Sequence, residues 1–304
     1  RNLSGLASLD ISDNQITGIV PNWIWKTYIY LNLSHNLLTE LEGPMHNLTF
    51  SLSVLDLHQN KLQGPIHVFP KEAKYLDYSS NKFSSFIPQD IGTYLFSIYF
   101  ISLSINPLHG NIPNSLCNES SLRMLDLSMN NMSGTIPSCL MKMSGTLKVL
   151  NMKNNNLLGL IPDIVPASCR SWTLNLYGNL LDGSILNSLA HCSEVLDLGS
   201  NQIVCGFSCF LKEISIFRIL VLWNNKFQGF LRCSKANETW EMLQIVDIAF
   251  NNFSCQLPGK YFTTWKRNVM HNEDEVGSKF IMKDFYLQRN FYYQDRVIVI
   301  SKGL

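Results

Sequence analysis

Charge is scarce in this chain. Of 304 residues, 24 are Lys or Arg and 23 are Asp or Glu, so 15% carry charge and the net is +1. So sparse and balanced a surface gives no electrostatic footing for nucleic acid or for an anionic membrane. Long apolar runs are missing too. The longest candidate, 94–105, is about twelve residues, short of the roughly eighteen that a membrane-spanning helix needs. Catalytic signatures are also absent: there is no G-x-S-x-G, no phosphate-cradling Gly loop, no H-E-x-x-H and no kinase motif. Histidines at repeat-variable positions, such as His35 and His58, read as polar filler. The set His191, Cys192, Cys205 and Cys209 matches no usual zinc spacing. No enzyme activity, cofactor or metal site is predicted. The chain begins at Arg1 with no initiator Met and no apolar leader, so it reads as an internal fragment.

What the chain does have is a period. Asparagines stand at Asn14, Asn36, Asn60, Asn81, Asn106, Asn130, Asn155, Asn179, Asn201, Asn225 and Asn251, at gaps of 21 to 26 residues. Apolar residues lie three and five positions before each, as Leu125 and Leu127 lie before Asn130. Self-similarity at this period predicts a solenoid, in which one coil cannot bury its own leucines and its neighbours must. The L-x-L alternation predicts a short strand with both leucines inward. The Asn falls where that strand ends. Its amide carries donors and an acceptor, so a row of them predicts a ladder that satisfies turn backbone. A later G-x-I-P segment, as at 134–137, reads as a second turn. Eleven coils at roughly 4.8 Å spacing predict a parallel sheet on the order of 50 Å long.

Holding this register fixed sorts the cysteines. Six fall one coil apart at near-equivalent positions: Cys117 with Cys139, Cys169 with Cys192, and Cys209 with Cys233. Such positions lie within bridging distance, and bridges imply an oxidising compartment. Cys205 and Cys255 sit two coils apart, roughly 10 Å, beyond the reach of a bridge. Seven N-x-S/T sequons agree with secretion: Asn2, Asn32, Asn47, Asn118, Asn131, Asn237 and Asn252.

After Pro258 the template fails. Residues 259–304 lack any L-x-L-x-x-N, hold 13 of the 47 charged residues and include nine aromatics. The division predicted is a solenoid over 1–258 and a non-repeat segment over 259–304, cut short at its C-terminus. The run YYQDRVIVIS at 292–301 alternates like a strand.

The wording LDLSMNNMSGTIP at 125–137 resembles the plant-type leucine-rich repeat. Tyr292, Tyr293, Gln294 and Asp295, with Val297, Val299 and Ser301-Lys302-Gly303, are similar to the island region of plant leucine-rich-repeat receptor-like proteins. So is the stretch 240–254, WEMLQIVDIAFNNFS. The resemblance implies an α/β solenoid: a right-handed superhelix with a parallel β-sheet on its concave face. It also implies an extracellular ligand-recognition domain without a kinase, signalling through a partner receptor kinase. The ligand would be an extracellular protein, a peptide or a wall-derived molecule, and the setting plant defence. The full-length protein would sit in the plasma membrane, its anchor outside this fragment. The alternative is a secreted inhibitor of a microbial wall-degrading enzyme, or a relic without function.

The concave face supplies candidate binding residues. Just after L-x-L the outward residue is mostly Ser in the first six coils (Ser12, Ser34, Ser79, Ser104, Ser128). It then becomes Lys153, Tyr177, Gly199, Trp223 and Ala249. Trp172 and Arg218 are expected on the same side, at the upstream edge. Exposed Trp, Tyr and Arg are hot-spot residue types. Together with Tyr292 and Tyr293 they predict a groove between the sheet and the 259–304 segment.

Overall fold

The computed structural model describes residues 6–26, 28–42, 52–95, 97–118, 121–169, 172–185, 187–190, 192–206, 218–230, 243–254, 282–288 and 291–296. Eleven short strands make one parallel sheet in strict chain order, beginning with Ser8–Asp10, Tyr30–Asn32 and Val54–Asp56 and ending with Ile219–Val221 and Ile245–Asp247. Each coil carries one strand and one of the eleven asparagines, so coils are numbered 1–11 by those residues. Neighbouring strands pair through equivalent residues, as Leu125 pairs with Ile101 on one side and Leu150 on the other. Alternation therefore stacks leucine on leucine inside the solenoid. Leu31, Leu55, Leu76, Leu125, Leu150 and Leu174 are all fully buried in one continuous core. Each such side chain contributes about 1.5–3 kcal/mol by leaving water, and only neighbouring coils can provide that burial.

The asparagine ladder forms as the period predicts. Asn130 is representative: Nδ2 donates to the carbonyls of Leu127 (3.0 Å) and Ser128 (3.1 Å) in its own coil and to Leu103 (3.0 Å) in the coil before. Its Oδ1 accepts from the N–H of Leu108 at 3.2 Å. One buried amide thus serves four backbone groups across two coils.

Two further devices were not foreseen. The residue before the ladder asparagine is left-handed in every coil. Ten of these are not glycine, among them Asp13, His35, Ile105 (φ 55°), Met129 and Phe250, and the eleventh is Gly178. A left-handed L-residue costs roughly 1–2 kcal/mol, most for a β-branched one such as Ile105. Coil-to-coil hydrogen bonds offset that cost, as where Met129 N–H donates to the Lys153 carbonyl at 2.8 Å. In nine coils, moreover, an Asp or Asn four residues before the ladder asparagine accepts from the backbone N–H two residues on, at 2.9–3.3 Å. These Asx turns form a second ladder, on the concave side. Coils 5 and 10 have Ser102 and Val221 at that position.

Between the ladder asparagine and the G-x-I-P segment the chain forms more sheet, which the repeat pattern does not announce. His109–Asn111, Asn131–Gly134, Asn156–Leu160 and Leu180–Asp182 make a four-stranded parallel flank, and shorter pairs continue it at both ends. The glycines of this segment, including Gly110 and Gly134, keep positive φ within these strands. The connections back carry 3₁₀ turns, such as Asn114–Asn118, and two short helices.

Two predicted disulfides are present, Cys117–Cys139 and Cys169–Cys192, with Cα separations of 5.7 and 5.2 Å. Cys205 is a half-buried free thiol. Cys209, Cys233 and Cys255 lie outside the described residues. In the non-repeat segment, Met282–Gln288 and Phe291–Arg296 pair as an antiparallel hairpin, which carries Tyr292 and Tyr293 opposite Tyr286 and Phe285. No helix among the described residues is long and apolar enough to cross a membrane.

Trp172 is a correction. It was expected at the concave edge, yet it is fully buried in the core, with Nε1 lacking a hydrogen-bond partner. The reason lies in the repeat. Most coils place a large apolar residue three positions before the central strand leucine, as Leu122 precedes Leu125. Coil 8 has Ser171 there and coil 9 has Ser193. A register shift at Trp172/Thr173 pairs Trp172 with Ser193. The indole thereby packs in the core beside the small, buried Ser193.

Candidate functional site

The concave face is built in three rows. The first outward position of each strand is largely apolar. It makes one patch of Phe100, Met124 and Val149 with Tyr75, and another of Val195, Ile219 and Ile245, which Val221 of the middle row and Trp223 of the third row join. The middle row is the Asx ladder. In nine coils one side-chain oxygen of each Asp or Asn in this row accepts from backbone. The third row, just before the left-handed residue, is where the coils diverge.

In coils 8–11 the third row assembles an aromatic cluster. Tyr177 and Trp223 stack with centroids 6.2 Å apart and planes 17° apart, although coil 9 lies between them. Gly199 makes this possible. A Cβ there would lie 2.9 Å from Tyr177 Cδ2, so any side chain would intrude on the ring. Phe250 then meets Trp223 edge-on at 5.7 Å and is 59% exposed. Trp223 itself is half-buried over Val195, Ile219 and Val221. It therefore both covers its neighbours and presents an edge to solvent. Phe250 was missed in the sequence because the left-handed position was not recognised as facing the groove.

The remaining candidates are placed as follows. Lys153 is half-exposed in the third row of coil 7, next before Tyr177. Arg218 lies at the upstream edge as expected, but it is engaged: Nη1 reaches Glu194 Oε1 at 3.2 Å and Nη2 reaches Gln244 Oε1 at 3.1 Å. It braces three coils. Trp172 is not part of the face.

Among the sequons, Asn118, Asn131 and Asn252 are exposed. Asn32 fits poorly as a glycan acceptor. Its Nδ2 donates to Asp10 Oδ2 at 3.2 Å, and its Oδ1 accepts from Ser34 N–H and Oγ. Asn2, Asn47 and Asn237 lie outside the described residues.

At the other end the third row is polar and acidic groups gather. His58 stands where neighbouring coils have Ser. Its Nδ1 lies 2.6 Å from Asp56 Oδ1 and its Nε2 lies 2.7 Å from His35 Nε2. Burial works against a charged His58, but the Asp56 hydrogen bond and charge outweigh it and lift its pKa above the usual histidine value. Burial, with the Asp56 charge adding to it, pushes the Asp77 carboxyl up to about 6.

A sequence profile of the Leucine Rich Repeat family matches residues 5–27, 121–143 and 146–167. Receptor-like protein 35 of Arabidopsis thaliana is 34% identical over 98% of this chain. The chain is similar to plant receptor-like proteins over nearly all of its length. It spans 27% of that relative's length, and between 26% and 35% of the other curated receptor-like proteins it matches. Among solved structures it is similar to the leucine-rich-repeat ectodomain of the Arabidopsis receptor kinase HAESA in complex with an IDA peptide hormone ligand. That likeness has TM-score 0.73 and 27% identity, over 84% of this chain and 43% of that one. A plant ice-binding protein shares the fold with TM-score 0.59 and 21% identity, over 84% of this chain and 75% of that one. The repeat alone thus supports unrelated tasks, and the function of this chain must be argued from its concave face.

Proposed function

We propose that this chain is a ligand-recognition segment of an extracellular, membrane-anchored receptor-like protein, and that coils 7–11 form its binding face. The observation that carries this reading is the Tyr177–Trp223–Phe250 cluster, brought together across the side-chain-free Gly199. Rigid aromatics over an apolar floor are the residue types that concentrate binding energy. The floor here is Val195, Ile219, Val221 and Ile245. A flat, one-sided apolar strip flanked by Lys153 suits an extended peptide or a protein loop carrying apolar side chains and some negative charge. The peptide bound by the HAESA ectodomain supports this ligand class. A partner receptor kinase would then convert binding into signal, and a role in plant defence is the setting the family suggests.

The test is selection of ligands for the intact ectodomain from a displayed peptide library, followed by variants. Trp223→Ala and Phe250→Ala are each expected to weaken the selected ligands at least about tenfold while leaving the melting transition in place. Selected peptides whose affinity ignores both changes would move the binding face elsewhere.

A further inference from the structure

The histidine–carboxylate cluster at the opposite end of the concave face has no part in the aromatic site. Its members come from four successive coils: Asp13, His35, Asp56 with His58, and Asp77. One oxygen each from Asp56 and Asp77 and one ring nitrogen of His58 lie within 4.8 Å of one another. His58 Nδ1 lies 2.6 Å from Asp56 Oδ1, while Nε2 is turned to His35.

We infer that Asp56, Asp77 and His58 Nδ1 form a binding site for a divalent transition-metal ion of the Zn²⁺ type, supported by His35 and Asp13. Two carboxylates and an imidazole are a hard-to-borderline donor set of the kind that holds such ions. Bonds of about 2.0–2.1 Å place tetrahedral ligand atoms about 3.3 Å apart. The 2.6 Å His58–Asp56 pair would open and the wider separations, up to 4.8 Å, would close by side-chain adjustments on the order of 1 Å. The surroundings already have the arrangement that metal-ligating histidines need. With Nδ1 on the ion, His58 keeps its proton on Nε2 and donates it to His35 Nε2 at 2.7 Å. His35 Nδ1 then faces Asp13 Oδ1 at 3.6 Å. A hydrogen-bonded second ring backed by a carboxylate fixes both the tautomer and the ring orientation of the ligand. Asp77 is held in turn by Ser79 N–H (2.9 Å) and Oγ (2.6 Å) on Oδ1, and by the Tyr75 hydroxyl on Oδ2 at 3.3 Å. Three protein ligands leave one tetrahedral position open.

The test uses the full chain, stripped with a chelator and titrated with Zn²⁺ alone, by calorimetry and by competition with a chromophoric chelator. Saturable uptake of a single ion is expected, and Co²⁺ in its place should give the visible absorption of a tetrahedral centre. His58→Ser is the decisive variant. Serine occupies this position in coils 1, 2, 4, 5 and 6, so the Asx turn and the fold survive the change. It should abolish uptake, as should Asp77→Asn. His35→Ala, which removes only the supporting ring, should weaken uptake about tenfold. No saturable binding by the wild type, or binding that His58→Ser leaves intact, overturns the site.

Discussion

Coils 1–6 and coils 7–11 share a skeleton and differ most on the third concave row. Both halves repeat the same buried leucines, the same ladder asparagine and the same left-handed residue. In the first half the third concave row is serine with one histidine. In the second it is Lys153, Tyr177, Gly199, Trp223 and Ala249. The contrast shows where this architecture has freedom. Inward positions are held by packing, the middle row by Asx turns, and the ladder row by backbone bonds. The third row and the left-handed position beside it can change chemistry without loosening a coil. Variation there reflects what the face meets rather than what holds it up.

Substitutions can break that distinction. The largest effects should come from the shared skeleton and be similar in either half. Leu125→Ala and Leu196→Ala should each lower unfolding free energy by about 3 kcal/mol, read by urea melts, since both side chains are essentially buried. A much smaller loss in one half would mean the halves are not equivalent scaffolds. Next comes the ladder. Asn130→Ala leaves four backbone groups unserved and should cost about 2–3 kcal/mol. An Asx turn is weaker: Asp126→Ala, losing the 2.9 Å bond from Ser128 N–H, should cost about 1 kcal/mol. Arg218→Ala, which cuts a partly exposed ion pair with Glu194, should cost less than about 1 kcal/mol. Gly199→Leu sharpens the comparison from the other side. It should barely move the melt, yet it should separate Tyr177 from Trp223 and alter the near-ultraviolet circular dichroism. An unchanged aromatic spectrum would mean the two rings do not depend on that gap.

Much of the scaffold was readable because it repeats. Eleven asparagines became eleven strands, and the fixed register aligned Cys117 with Cys139 and Cys169 with Cys192. What escaped was conformation that no residue type announces. Residues as different as Asp13, Ile105 and Phe250 share one left-handed geometry, because the neighbouring coil imposes it through hydrogen bonds. The Asx ladder was visible as a recurring Asp or Asn, but its role depends on an N–H two residues on. Trp172 misled because it pairs with Ser193, a small residue in a slot that most coils fill with a large one. The histidine cluster was hidden for a similar reason. His35 and His58 are 23 residues apart, and they touch only once a coil has closed between them.

The one-coil, one-strand rule also makes the molecule a ruler. His58 is on coil 3 and Trp223 on coil 10, seven steps that amount to roughly 34 Å at about 4.8 Å each. An extended chain advances about 3.3 Å per residue, so a single ligand touching both ends needs about ten residues. A gained or lost coil between them would shift that length by a residue or two. Ligand length would then be graduated in whole coils, so relatives differing only in repeat number would differ in reach.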